Sequence, residues 1–103
     1  MIYIITCLDK PDALPRRLQN IDAHRNYLAT HTHPVKTLLS GPLVREDGET
    51  MKGSHFLVDA ESRAAIEAWQ ADDPLANADV WDSVIIEAFL KRVDNLSPAE
   101  ATS

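Results

Sequence analysis

The order of strand-like and helix-like segments constrains the fold of this chain more than any other feature. Short apolar runs rich in β-branched residues predict strands, whereas apolar residues that recur every three to four positions predict amphipathic helices. In chain order, the predicted segments are a strand at Ile2–Leu8, a helix from Asp12 to about His31, strands at Lys36–Val44 and Met51–Val58, a helix from Asp59 to about Ala71, and a strand at Trp81–Leu90.

A β-α-β-β-α-β order with right-handed crossovers gives a four-stranded antiparallel sheet with both helices on one face. This is the ferredoxin-like arrangement of an α+β domain. Within it, Asp12 and Asp59 are the expected N-caps of the two helices. The expected buried stripe of the first helix consists of Leu14, Leu18, Ile21 and Leu28.

The second face of such a sheet is left uncovered by the chain itself. The strands are too apolar to leave that face in water without a large exposed patch. We therefore expect a homodimer, with sheets stacked face to face or strands exchanged between the two copies.

Length and charge limit the class of protein. The chain has 103 residues, a formal net charge of −6 and a single cysteine, Cys7. We expect one domain at residues 1–94 and a flexible tail at 95–103. Nucleic acid and anionic membranes both attract basic faces, so neither is an expected partner. With one cysteine and no apolar segment of membrane-spanning length, the expected location is the cytoplasm, and Cys7 is interpreted as a core residue.

His24 is the first candidate for chemistry. Its position on a helical wheel lies at the border of the buried stripe, and Arg17 lies two turns earlier on the same flank. Histidine can act as a general acid or base near neutral pH, and an arginine beside it would stabilise an anionic group. The alternative is a border histidine that is satisfied by a backbone carbonyl.

Asp73 is the second candidate. It precedes Pro74, and Asp-Pro commonly begins a turn, so turn chemistry alone explains its presence. In the predicted fold, however, this loop follows the second helix and leads into the last strand. A carboxylate there would reach a histidine on the first helix and orient it.

Gly53 and Ser54 lie inside the third strand. Glycine in a strand marks a bulge or the close approach of another backbone or of a ligand, and Ser54 would then offer a hydroxyl to that ligand. Two packing residues are the alternative. His31 and His33 suggest a metal, but no carboxylate or cysteine lies at a matching spacing, so we predict neither a metal nor a cofactor.

Taken together, these features resemble the YciI-like (YCII-related) family of the dimeric α/β-barrel, ferredoxin-like superfamily, over about Met1 to Arg92. The residues that carry the resemblance are the first strand with Tyr3, Arg17-Leu18, His24 and Leu28, Ser40-Gly41-Pro42, Gly53-Ser54, Asp73-Pro74 before Val80, and the closing run Val84–Phe89. The chain departs from the family pattern at Asp79, where the family often has glycine, and in its short turn between the second and third strands.

The resemblance implies a homodimer with a His–Asp active site, whose positions here are His24 and Asp73. It also implies elimination or dehydrochlorination on hydroxylated aromatic rings without an obvious cofactor. From it we expect a small cytoplasmic enzyme of the lyase type, with Arg17, Gly53 and Ser54 as substrate-binding residues. The alternative is a non-catalytic dimer that binds a small metabolite or assists a pathway enzyme, because the fold itself does not decide function.

Overall fold

The computed structural model describes residues 1–96, and the predicted order of elements is confirmed. The elements are β1 (Ile2–Asp9), α1 (Leu14–Thr30), β2 (Val35–Val44), β3 (Met51–Ala60), α2 (Arg63–Ala71), α3 (Pro74–Asn77) and β4 (Trp81–Ala88). Most of the predicted tail, residues 97–103, lies outside the described residues. None of the helices described in residues 1–96 is long and apolar enough to cross a membrane.

The four strands form one antiparallel sheet in the order β2-β3-β1-β4. The register fixes which side chains share a face, because directly paired residues lie on the same side of a sheet. Ile5 pairs with Phe56 on β3 and with Ile86 on β4, and all three are buried beneath the helices. The ferredoxin-like α+β fold is therefore confirmed.

The main core lies between this face and the helices. Its buried members are Ile5, Cys7, Tyr27, Val35, Phe56, Val58, Ala60, Ile66, Trp69 and Ile86. Three of the aromatic rings meet edge to face or at a tilt, with Phe56 and Trp69 centroids 5.8 Å apart and Tyr27 and Trp69 centroids 6.1 Å apart. Cys7 is in this cluster and fully buried, as the sequence predicts.

The buried face of α1 differs from the predicted stripe. Leu18 is 53% exposed, whereas the buried residues of the helix are Arg17, His24 and Tyr27. A hydrophobic pattern assigns arginine to the outside because an unpaired buried charge is costly. Here a carboxylate partner of Arg17 removes that cost, so the helix turns its polar flank inward.

The predicted caps of both long helices are also wrong. The N-cap of α1 is Ala13, with no side-chain hydrogen bond, and that of α2 is Ser62, whose hydroxyl accepts from the N–H of Ala65 at 3.1 Å. Asp59 lies one turn too early because β3 continues to Ala60, and it pairs instead with the amino terminus. A single helical turn, α3, begins at Pro74 and has Asp73 as its N-cap.

A second, smaller cluster holds α3 against the start of α1. It consists of Ala13, Leu75 and Val80, all fully buried, and it is fastened to β1 by a 2.8 Å hydrogen bond from the N–H of Lys10 to the carbonyl of Val80. This cluster fixes the position of Asp73, the residue before Pro74.

Within residues 1–96, no helix or strand packs on the opposite face of the sheet. Its exposed apolar side chains include Leu8 (45%), Leu39 (49%) and Ile85 (51%), one from each of three strands. Thr6 and His55 form a side-chain hydrogen bond of 3.3 Å near its centre.

Gly53 is required by the close approach of two strands, which yields a stability prediction. A Cβ at this position would lie 2.3 Å from the backbone oxygen of Cys7, whereas a Cβ at Gly41 would meet nothing within 4 Å. We expect Gly53→Ala to lower the free energy of unfolding by about 1–3 kcal/mol, the usual cost of overpacking, and Gly41→Ala to have a much smaller effect. Urea titration of the two variants checks this, and equal stabilities would contradict it.

Cys7 yields a second prediction. Burial raises the pKa of its thiol to about 12, and the opposing hydrogen bond from Gln70 only partly offsets this. Because the thiolate is the reactive form, we expect native protein to react very slowly with iodoacetamide near neutral pH and the denatured protein to react fully. Rapid modification of the folded protein, followed by mass spectrometry, would contradict the account.

Candidate active site

His24 and Asp73 meet between α1 and the start of α3. Nδ1 of His24 lies 2.9 Å from both carboxylate oxygens of Asp73. The Asp73 residue is 1% exposed and the His24 side chain 9%, so their contact is shielded from water. This distance falls within the range expected of a base and its orienting acid.

Local structure fixes the carboxylate. Asp73 is the N-cap of α3, and its Oδ1 accepts a 2.9 Å hydrogen bond from the N–H of Leu75. The Asp73 side chain therefore both caps the turn that begins at Pro74 and contacts His24. Since Leu75 belongs to the second core cluster, the carboxylate is held by packing as well as by hydrogen bonds.

Aromatic neighbours fix the imidazole. The ring of His24 makes edge contacts with Phe56 at 6.0 Å and with Trp81 at 6.5 Å between centroids. Its Nε2 makes no hydrogen bond to any other residue in the described range 1–96. One nitrogen is thus hydrogen-bonded to Asp73, and the other has no protein partner in that range.

A second polar network lies two turns earlier on α1. Arg17 makes a bidentate ion pair with Asp9, through Nε at 2.7 Å and Nη2 at 2.8 Å, and Nη2 also donates to Oγ of Ser54 at 2.8 Å. All three side chains are almost fully buried. The structure thus joins Arg17 to Ser54, and within residues 1–96 no hydrogen bond or ion pair links this pair to the His24–Asp73 pair.

Gly53 lies next to this network, with its α-carbon against the backbone oxygen of Cys7. The close approach that its sequence position predicted is made by strand β1. A role of the Gly53 backbone toward a ligand stays a prediction.

A cleft of about 300 Å³ opens between α2, α3 and the edge strand β4. Its lining residues are Arg63, Glu67, Gln70, Ala71, Ala76, Trp81, Val84 and Ile86. Neither His24 nor Asp73 lines it, but the indole of Trp81 contacts both the cleft and the His24 ring.

The remaining histidines have other surroundings. His31 stacks on Tyr27 with centroids 4.1 Å apart, and His33 lies 3.3 Å from Glu61 at the surface. Within residues 1–96, no group of three or more His, Cys, Asp or Glu side chains is arranged to hold a metal ion.

Sequence reasoning missed two residues of this region, Asp9 and Gln70. Asp9 ends β1 beside Lys10-Pro11 and resembles an ordinary turn residue, and only the fold brings it to Arg17. Gln70 is 94% buried because it faces Cys7, with Nε2 3.5 Å from Sγ. Neither had a local signal, although an arginine on an inward flank does call for a carboxylate partner.

Comparison with known proteins places this geometry in context. The YCII-related domain model matches residues 1–90. The chain is 31% identical over 96 residues to Protein YciI of Escherichia coli, which covers 88% of this chain and 98% of that protein. A Haemophilus influenzae protein is 30% identical over the same length, with the same coverage of both chains.

Among solved structures, the fold matches the 5-chloro-2-hydroxyhydroquinone dehydrochlorinase of Burkholderia phenoliruptrix in complex with 2,5-dihydroxybenzoquinone. The TM-score is 0.77 and the identity 26%, over 87% of this chain and 94% of that one. The family match spans nearly all of the described residues and agrees with the observed order of elements. This chain belongs to the YCII-related, YciI-like family.

Proposed function

We propose that this protein is an enzyme that uses His24 and Asp73 for general acid–base elimination on a small oxygenated aromatic compound. The observation that carries the proposal is the 2.9 Å contact of Nδ1 of His24 with both oxygens of Asp73. A carboxylate so placed sets the orientation of an imidazole and the nitrogen on which its proton resides.

The direction of the hydrogen bond defines the role of each nitrogen. The carboxylate oxygens accept, so Nδ1–H donates, and the neutral imidazole carries its lone pair on Nε2. Oδ1 also accepts from the N–H of Leu75, which keeps the carboxylate from rotating away. Nε2 then serves as the base, and after protonation as the acid.

Elimination from a polyhydroxylated ring needs only proton transfers. Nε2 takes the proton of one ring hydroxyl and delivers it to the ring carbon that bears the leaving group. It then takes the proton of a second hydroxyl, and the leaving group departs with its electron pair. The ring becomes a quinone, and the net loss is one proton and one anion, with no external oxidant. The dehydrochlorinase with a matching fold supports this class of reaction by its name and by its bound benzoquinone.

Arg17, Ser54 and Gly53 remain our proposed substrate-binding residues. The guanidinium of Arg17 uses Nε and Nη2 for Asp9 and Ser54, while its Nη1 makes no hydrogen bond within residues 1–96. A substrate oxygen would meet Nη1, with Ser54 fixing the plane of the guanidinium. Because Asp9 already neutralises the charge of Arg17, we assign these residues to holding the substrate and not to the proton transfers.

Two isosteric substitutions test the dyad. His24→Asn keeps an amide N–H near the place of Nδ1 but removes Nε2, and we expect turnover to fall by about 10²–10⁴-fold. Asp73→Asn still caps α3 through its amide oxygen but removes the negative charge that stabilises the protonated imidazole, so we expect a comparable loss. Chloride release from 5-chloro-2-hydroxyhydroquinone is the measurement.

His33→Asn is the matched control, because His33 is 86% exposed and lies at the opposite end of α1 from Arg17. We expect it to keep full activity. If wild-type protein binds the compound but releases no chloride, the elimination proposal is wrong and the binding-module alternative replaces it. Unchanged turnover in His24→Asn would remove His24 from the reaction.

We also propose that the protein is a homodimer that stacks the open faces of two sheets. Leu8 of β1, Leu39 of β2 and Ile85 of β4 are each 45–51% exposed on that face. Burial of such a patch against a second copy is favourable at about 25 cal/mol per Å² of apolar surface.

Light scattering after gel filtration tests the dimer. We expect wild-type protein at twice the chain mass of 11.5 kDa, and Ile85→Glu at the monomer mass, since a carboxylate would be buried unpaired. Leu18→Glu is the control, because Leu18 is 53% exposed on α1, away from the sheet. A monomeric wild-type protein, or a dimer that Ile85→Glu leaves intact, would contradict stacking through this face.

A further inference from the structure

The open face of the sheet has a titratable side chain at its centre, His55 of β3. Its α-carbon is paired with that of Thr6 on β1 and with that of Gly41 on β2. Its Nδ1 lies 3.3 Å from Oγ1 of Thr6, and the residue is half-buried. Because a threonine hydroxyl both donates and accepts, this contact suits a neutral and a charged imidazole equally.

The surroundings of this imidazole on the open face are apolar. The strand register places five aliphatic side chains around it, which are Ile4, Leu8, Leu39, Leu43 and Leu57. Gly41 has no side chain, and a Cβ there would meet nothing within 4 Å, so there is open space beside the ring. A charged imidazole therefore keeps its hydration only while this face is in contact with water.

The charged side chains of the strands lie away from the centre of this face. By register, those that share the face are Lys36, Asp59 and Glu87, and Asp82 lies at the register shift near the start of β4. Strand spacing and rise put each of their α-carbons roughly 10 Å or more from that of His55. Asp59 is also paired with the amino terminus at 3.1 Å. Among residues 1–96, the centre of the face therefore carries no charge while His55 is neutral.

A second copy of the same face suits this distribution of charge, because two uncharged centres stack without repulsion. Four strands of at least 8 residues give a face of roughly 26 by 19 Å, or about 500 Å² in projection. With the relief of the side chains, this area approaches the roughly 800 Å² per partner of a standard interface. In an interface centred on this face, two-fold symmetry brings a central residue near its own copy. Stacking thus removes both His55 rings from water and places them close together.

We propose that His55 makes the homodimer sensitive to pH: the stacked faces accept both imidazoles only in the neutral form, and acidification separates the two copies. The inference rests on the proposed homodimer and is independent of the proposed catalytic dyad. A proton on one ring places a charge in an apolar interface, and protons on both rings add repulsion between like charges. Protons therefore bind better to the separate copies, so by linkage the dissociation constant of the dimer rises as the pH falls.

Sedimentation equilibrium at pH 8 and pH 5.5, at constant ionic strength, measures the effect, because carboxylates keep their charge between these values. Two imidazoles with the proton affinity of histidine in water, both neutral in the dimer, give about a 100-fold rise in the dissociation constant. We expect this rise in the wild type and in the control His33→Gln, since the side chain of His33 is 86% exposed. In His55→Gln and His55→Leu, we expect a change of less than about threefold, because neither side chain titrates.

The outcomes separate this proposal from that of the homodimer. Equal dissociation constants of the wild type at the two pH values would overturn the pH sensitivity and leave the dimer standing. An equal rise in the His55 variants would also overturn it, because another group would then carry the effect. Loss of the dimer at pH 8 in both variants would do the same, because His55 would then be a contact that assembly requires. A wild-type monomer at pH 8 would overturn both proposals.

Circular dichroism at pH 5.5 distinguishes separation of the copies from loss of the fold. We expect the far-UV spectrum of the wild type to match that at pH 8, since only the contact between copies is lost. A spectrum of unfolded chain at pH 5.5 would contradict the proposal.

Discussion

The structure depends on the burial of polar side chains along the inner flank of α1, and on the carboxylates that receive them. Arg17 and His24 lie two turns apart, and each enters the space between the helix and the sheet. Asp9 pairs with Arg17, and Asp73 pairs with His24. Removal of one partner from a buried ion pair costs about 3–5 kcal/mol, so the pairing with Asp9 also fixes how α1 sits on β1.

The Arg17–Asp9 and His24–Asp73 pairs differ in how many of their nitrogen atoms are hydrogen-bonded to the protein. Arg17 is held by Asp9 and Ser54 together, and this network joins β1, α1 and β3 into one unit. His24 is held by Asp73 through a single nitrogen, and the aromatic edges of Phe56 and Trp81 restrain its ring. A rigid imidazole with one uncommitted nitrogen is the arrangement that acid–base chemistry requires. The network of Arg17, Asp9 and Ser54 lies two turns earlier and anchors α1, the helix that carries His24.

Much of the fold followed from the sequence. The alternation of apolar runs predicted every strand and both long helices, since strand and helix periods are local properties of the chain. For Asp73 the sequence left two interpretations open, turn chemistry before Pro74 and a contact with a histidine on the first helix, and the structure has both in one side chain. The roles of these two residues in catalysis, and those of Arg17, Gly53 and Ser54 in substrate binding, remain proposals.

Other features were beyond local reasoning. The burial of Arg17 and the exposure of Leu18 reverse the hydrophobic pattern, because the bidentate ion pair of Arg17 with Asp9 at the end of β1 outweighs it. The capping role of Ser62 depended on where β3 ends, which is set by pairing of Ala60 with Val35. The cleft beside β4 combines α2, α3 and an edge strand, and no short stretch of sequence encodes it.

The protonation state of the His24 ring tests the central claim most directly. Nitrogen NMR of the neutral imidazole distinguishes a proton on Nδ1 from one on Nε2. Hydrogen bonding to Asp73 predicts the tautomer protonated on Nδ1 in wild-type protein, with Nε2 bearing the lone pair. A proton found on Nε2 would contradict the account, because the nitrogen that faces a ligand would then be a donor and no longer a base.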